Sequence, residues 1–153
     1  MKITLPRRAS GLPGLPLGAL LLLSCLAAWP ARAAELSISI TNAPIEEAQA
    51  KKIVSFALPA DFDRIFPAKQ YGVRVLVDEH QGRDGGVVFY MLLGLAHRLP
   101  DGRFLQEHTY LSSMEFVKPT AAAGDRRAIL EGALAQSARL FAQSMMENAA
   151  RLK

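Results

Sequence analysis

Four side chains able to do chemistry lie close together in VDEHQGRDGG: Asp78, Glu79, His80 and Asp84. Carboxylates beside an imidazole suit divalent-cation binding or proton transfer. Strand geometry limits the cluster, because consecutive residues point to opposite faces, so Asp78 and Glu79 do not share a ligand without a bend. The bland reading is a solvated loop, where such residues concentrate anyway. His97 and His108 form a second candidate pair. If residues 86–99 and 104–118 form a hairpin with Leu99 opposite Phe104, the two histidines are diagonal same-face neighbours, about 7–8 Å apart at Cα. Two ligands fall short of the four that a structural zinc site takes. The metal candidates are therefore His97, His108, Asp78 and His80, each weighed against an ordinary hydrogen-bonded or solvated histidine or carboxylate. No residue is assigned a catalytic role and no cofactor is implied.

Other signatures are missing. The chain has no glycine-rich dinucleotide loop, P-loop, H-E-x-x-H, G-x-S-x-G, S-x-x-K or EF-hand loop. Its single cysteine, Cys25, sits in an apolar run from Leu15 to Trp29, behind Lys2, Arg7 and Arg8 and before Ala31-Arg32-Ala33. That order of charge, apolar run and small residues describes a secretory signal peptide over residues 1–33. Leu22-Leu23-Ser24-Cys25 also resembles a lipobox, whose cysteine would carry a lipid. The run continues past Cys25 and Pro30 breaks it just before the small residues, so release after Ala33 is favoured. The discarded segment takes Cys25 with it, and thiol chemistry is then excluded.

The cut also settles the charge. The whole chain has 18 basic and 14 acidic residues, a formal charge of +4. Residues 1–33 hold four of the basic residues and no acid, leaving 14 of each. A neutral domain gives no support for nucleic-acid binding, and membrane contact is expected only if Cys25 is lipidated. The rest, residues 34–153, is the length of one domain.

The elements that must position the polar residues are read from periodicity. ELSISI (35–40) alternates and predicts a half-buried strand. Asn42 reads as the cap of a short helix starting at Pro44 and reaching Lys52, and Asp61 and Asp63 as cap and surface residues of a turn between Pro59 and Pro67. Residues 53–58 read as β, on Ile53, Val54 and Phe56. YGVRVLVDEH (71–80) is a strand, and 86–99 with 104–118 a hairpin about LPDGRF. A three-residue P-D-G loop would pair Leu99 with Arg103; a four-residue loop would pair it with Phe104. The second gathers Phe89, Met91, Leu93 and Leu95 with His108, Tyr110, Met114 and Phe116 on one apolar face and is preferred, since a one-residue slip exchanges the faces. After a linker at 119–124, Asp125 reads as the cap of an amphipathic helix to about Leu152. Its stripe runs through Leu130, Leu134, Ser137, Phe141, Met145 and Asn148.

The expected fold is α+β: an antiparallel sheet of four to five strands (35–118) with the long C-terminal helix (125–152) packed on one face. An HRLPDGRFLQEHTY hairpin followed by an alanine-rich terminal helix in a small exported chain resembles the auxiliary proteins of envelope transport systems, over residues 87–152. The resemblance implies an envelope accessory role and transfers no site residue. The expected function is a non-enzymatic periplasmic or secreted accessory protein that binds a protein or a small apolar ligand. The alternatives are an outer-membrane lipoprotein anchored at Cys25, auxiliary to such a transport system, and a small metal-dependent protein using Asp78-Glu79-His80.

Overall fold

The computed structural model describes residues 35–105 and 109–152. Residues 1–33, where a signal peptide is expected, with Cys25, and His108 lie outside the described residues. The elements are β1 (Glu35–Thr41), α1 (Glu47–Ala57), α2 (Phe62–Ile65), β2 (Tyr71–Gln81), β3 (Val87–His97), β4 (Thr109–Val117), α3 (Ala123–Glu147) and α4 (Ala149–Leu152). The strands form one sheet in the order β1-β2-β3-β4. This is the expected α+β fold, with one correction. β1 runs parallel to β2, while β2-β3 and β3-β4 are antiparallel, so the sheet is mixed. A parallel pair needs a crossover rather than a hairpin, and α1 and α2 supply it.

α1 is longer than the sequence suggested. Residues 53–58 continue the helix to Ala57, because Ala50 and Val54, one turn apart, are both buried against the core. Tertiary packing outweighs the β preference of Ile53 and Val54. Asn42 does not cap α1. It takes a left-handed bend at φ 56°, and the residue before the helix is Glu46, with no side-chain cap bond. Asp125 likewise lies inside the first turn of α3, whose N-cap is Ala122. At the other end the Asn148 amide donates to the Ser144 carbonyl at 2.9 Å and separates α3 from α4.

α1 and α3 lie together on one face of the sheet, α1 against β1 and α3 against β4 and β3. Beneath them Val73, Val75 and Val77 of β2 and Phe89, Met91 and Leu93 of β3 are buried with Val54, Leu134 and Phe141. Phe62 of α2 packs 5.0 Å from Phe66 and 6.3 Å from Phe141 between ring centroids, closing one end. Burying a side chain of this size stabilises by about 1.5–3 kcal/mol.

The β3-β4 hairpin is not in the expected register. The Leu99 N–H donates to the Arg103 carbonyl at 2.7 Å, and Arg98 pairs with Phe104, which defines the three-residue P-D-G loop. The Asp101 carboxylate accepts from the Arg103 N–H at 3.0 Å and from its guanidinium at 2.7 Å, and Gly102 takes φ +84°. Beyond the turn Leu95 pairs with Thr109 and Val87 with Val117. Between Arg98–Phe104 and Leu95–Thr109 the pairing shifts by two residues, and a shift of two leaves the facing unchanged. Leu111, Ser113, Glu115 and Val117 share the helix-covered face; Tyr110, Ser112, Met114 and Phe116 point the other way.

Candidate functional site

That register uncovers the most distinctive surface of the molecule. On the face away from the helices, cross-strand rows run Ser39–Leu76–Leu92–Ser112, Asp78–Tyr90–Met114 and His80–Val88–Phe116. Tyr110, Met114 and Phe116 are 60%, 74% and 58% exposed. Sequence reasoning placed them in the core, under the helix. They form instead a second apolar β-surface that no helix among the described residues covers. Toward β1 this surface passes into a shallow hollow of about 260 Å³ lined by Ser37, Ser39, Arg74, Val75, Leu76 and Leu92. The Phe116 ring lies against Gly86, where a Cβ would come within 3.1 Å of it, so the glycine seats the ring.

Local sequence explains why this face stays open. Ser113 points inward and its Oγ lies 2.6 Å from the Oγ of Ser137, which is only 4% exposed on α3. The pair ties β4 to α3 through a satisfied polar contact and fixes which side of the strand the helix covers. A serine in the apolar stripe of α3 needs a partner, and Ser113 supplies it in the observed register. Adjacent Ser112 lies on the other face, so the need for a partner does not by itself choose the register.

The predicted polar candidates are spread out. Asp78 and His80 do share the outer face, with the imidazole Nε2 3.1 Å from a carboxylate oxygen. Glu79 faces the helix side, as strand alternation requires. The Asp84 carboxylate accepts the Gly86 N–H at 3.1 Å and shapes the β2-β3 turn. His97 sits at the far end of β3 with its ring 4.5 Å from Tyr71. Among the described residues, no three His, Cys, Asp or Glu side chains converge as metal ligands. The Arg127 guanidinium is held protonated more firmly than usual by its hydrogen bond to Glu131 at 2.9 Å, an exposed pair one turn apart.

No protein-family model and no curated protein sequence matches the chain. Three solved structures have a similar fold. One is a candidate lipoprotein from Caulobacter crescentus, 13% identical, with a TM-score of 0.39 over 77% of this chain and 92% of that one. A minor lipoprotein from Acinetobacter baumannii is 15% identical, with a TM-score of 0.40 over 80% and 95%. Rare lipoprotein B from Shewanella oneidensis is 16% identical, with a TM-score of 0.38 over 77% and 98%. At these identities and scores the functional reading rests on the geometry of this chain alone.

The outer face suits contact rather than reaction. Its aromatic and methionine side chains offer apolar area, with serine hydroxyls and Arg74 at the margin. Aromatic residues and methionine are enriched at the centres of protein interfaces. Among the described residues, no helix is long and apolar enough to cross a membrane.

Proposed function

We propose that the chain is an exported, non-enzymatic accessory protein of a bacterial cell envelope that holds a protein partner against the outer face of its sheet. The observation carrying this reading is the exposure of Tyr110, Met114 and Phe116 beside Leu76, Tyr90 and Leu92. Large contiguous apolar patches on soluble domains mark interaction sites. The hollow at the β1 side, about 260 Å³, lies below the roughly 300–1,000 Å³ usual for small-molecule sites, which favours a broad protein contact. The leader-like pattern of residues 1–33 supports export.

A photo-crosslinking residue placed at Met114 or Leu92, and at Glu47 on the helix side as control, tests the reading in cells. Outer-face positions should give one predominant protein adduct and the control none. Adducts of equal yield from both sides, or none from the outer face, overturn it. In the second form of the proposal an acyl chain on Cys25 holds the protein at a membrane, supported by Leu22-Leu23-Ser24-Cys25. The intact mass of the exported protein decides between the two: a free amino terminus at Ala34 removes the anchor, and an acylated Cys25 removes the free form.

A further inference from the structure

β4 is the last strand of the sheet, so among the described residues one of its edges has no strand beside it. Among the described residues, Thr109–Val117 make no backbone hydrogen bond outside the sheet ladder. Such an edge presents a row of free N–H and C=O groups that only another extended strand matches fully. Natural edges are normally blunted by lysine, proline or a short strand. β4 is nine residues long and carries neither lysine nor proline; Lys118 and Pro119 follow only after it ends.

The side chains flanking that edge are apolar above and below. Below are Tyr110, Met114 and Phe116. Above are Ile129 and Leu140 of α3, 36% and 49% exposed and about three helical turns apart, hence in one line. The side of α3 turned toward α1 is marked by Ala135 and Arg139, which line the groove between the two helices. At 100° per residue Ile129 and Leu140 lie about 80–140° around the helix from these two, on the side away from α1. Since α1 packs on β1 and α3 on β4, that flank overhangs the free edge. Most of the exposed large apolar side chains among the described residues therefore border one strand edge; Phe56 and Leu105 are the exceptions.

We infer that this edge binds a second copy of the chain, β4 against β4 in antiparallel pairing about a two-fold axis. The edge is self-complementary. With Ser113 opposite Ser113 of the second copy, Tyr110 meets Phe116 and Ser112 meets Met114 on the outer face. Aromatic cross-strand pairs are among the stabilising ones. Glu115 falls opposite Leu111, so no like charges oppose each other. The helices fit as well. Strands are about 4.8 Å apart, and α3, lying over β4 and β3, has its axis roughly one strand spacing from the dyad. The two α3 helices then lie about 10 Å apart, at the usual packing distance of 8–10 Å, with the Ile129–Leu140 stripes facing. The five bordering side chains expose roughly 500 Å² of apolar surface per copy. With the strand edge added, this approaches the ~800 Å² per partner of a specific interface and matches a weak, reversible dimer.

The inference shares Tyr110, Met114 and Phe116 with the proposed docking face and differs from it in using the strand edge and Ile129 and Leu140 of α3. Sedimentation of the purified exported protein from about 1 to 300 µM tests it, with the dimer expected to populate across that range. Met114→Lys and, separately, Leu140→Glu should each weaken association by at least about tenfold. Phe56→Lys on α1 should leave it unchanged, and unchanged circular dichroism checks each fold. Leu140 lies off the outer face, so Leu140→Glu separates loss of self-association from loss of docking. A monomer at every concentration overturns the inference and leaves the edge to a strand of another protein or to solvent. A dimer that survives either edge substitution, or that Phe56→Lys also dissolves, overturns it too.

Discussion

Removing either hydroxyl of the Ser113–Ser137 pair should have unequal consequences. Ser137 is buried on α3; Ser113 is half-buried on β4, and their oxygens are 2.6 Å apart. In Ser113→Ala the Ser137 hydroxyl loses its partner inside the core. It can turn to the carbonyl one helical turn back, which limits the loss, so about 1–2 kcal/mol of destabilisation is expected. In Ser137→Ala the survivor can reach water, and about 0.5–1 kcal/mol is expected. With both serines replaced no donor is stranded, and the cost should stay within about 0.5 kcal/mol of Ser137→Ala alone. The cycle thus gives a coupling of about 1–2 kcal/mol in magnitude, readable from urea unfolding with unchanged m-values. A coupling under about 0.3 kcal/mol, with Ser113→Ala behaving as a surface change, would refute the register. Tyr110, Met114 and Phe116 would then be core residues, and Met114→Lys, near-neutral on an exposed face, would instead strand a charge in the core and unfold much of the population.

A methyl at Gly72 would lie 2.4 Å from the Phe104 ring. Gly72→Ala should therefore cost about 1–3 kcal/mol by displacing that ring from beneath Arg98, whose guanidinium carbon is 5.0 Å from its centroid. Adding Phe104→Ala should make the glycine change nearly free, and thermal melts of the four proteins check this. Phe141→Ala opens a void beside Phe62, 6.3 Å away, and should cost about 3–5 kcal/mol in urea unfolding.

Periodicity read the strands β1, β2 and β3 and the long helix correctly, because alternation and the 3.6-residue stripe are direct consequences of one-sided burial. It failed where two apolar faces compete. Tyr110, Met114 and Phe116 are together more apolar than Leu111, Ser113 and Glu115, so hydrophobicity alone turns β4 the wrong way. The turn chemistry of Pro100-Asp101-Gly102 points to the right register and is a weaker signal than three large side chains; the need of Ser137 for a partner does not decide, since Ser112 and Ser113 lie on opposite faces. At α1, Ile53 and Val54 look β-like in isolation; their helical state depends on Ala50 and Val54 meeting a core built from distant strands. The parallel placement of β1 follows from how the crossover docks, a non-local outcome. The polar candidates carried less. Asp78 and His80 do meet, while Glu79 and Asp84 serve the opposite face and a turn.

β1 is the amino-terminal strand of the described chain, yet its hydrogen-bonding partner begins only at Tyr71, after two helices. Two helices intervene between β1 and β2, whereas only a turn joins β2 to β3, so seating β1 closes a longer stretch of chain and carries a larger entropic cost than forming that hairpin.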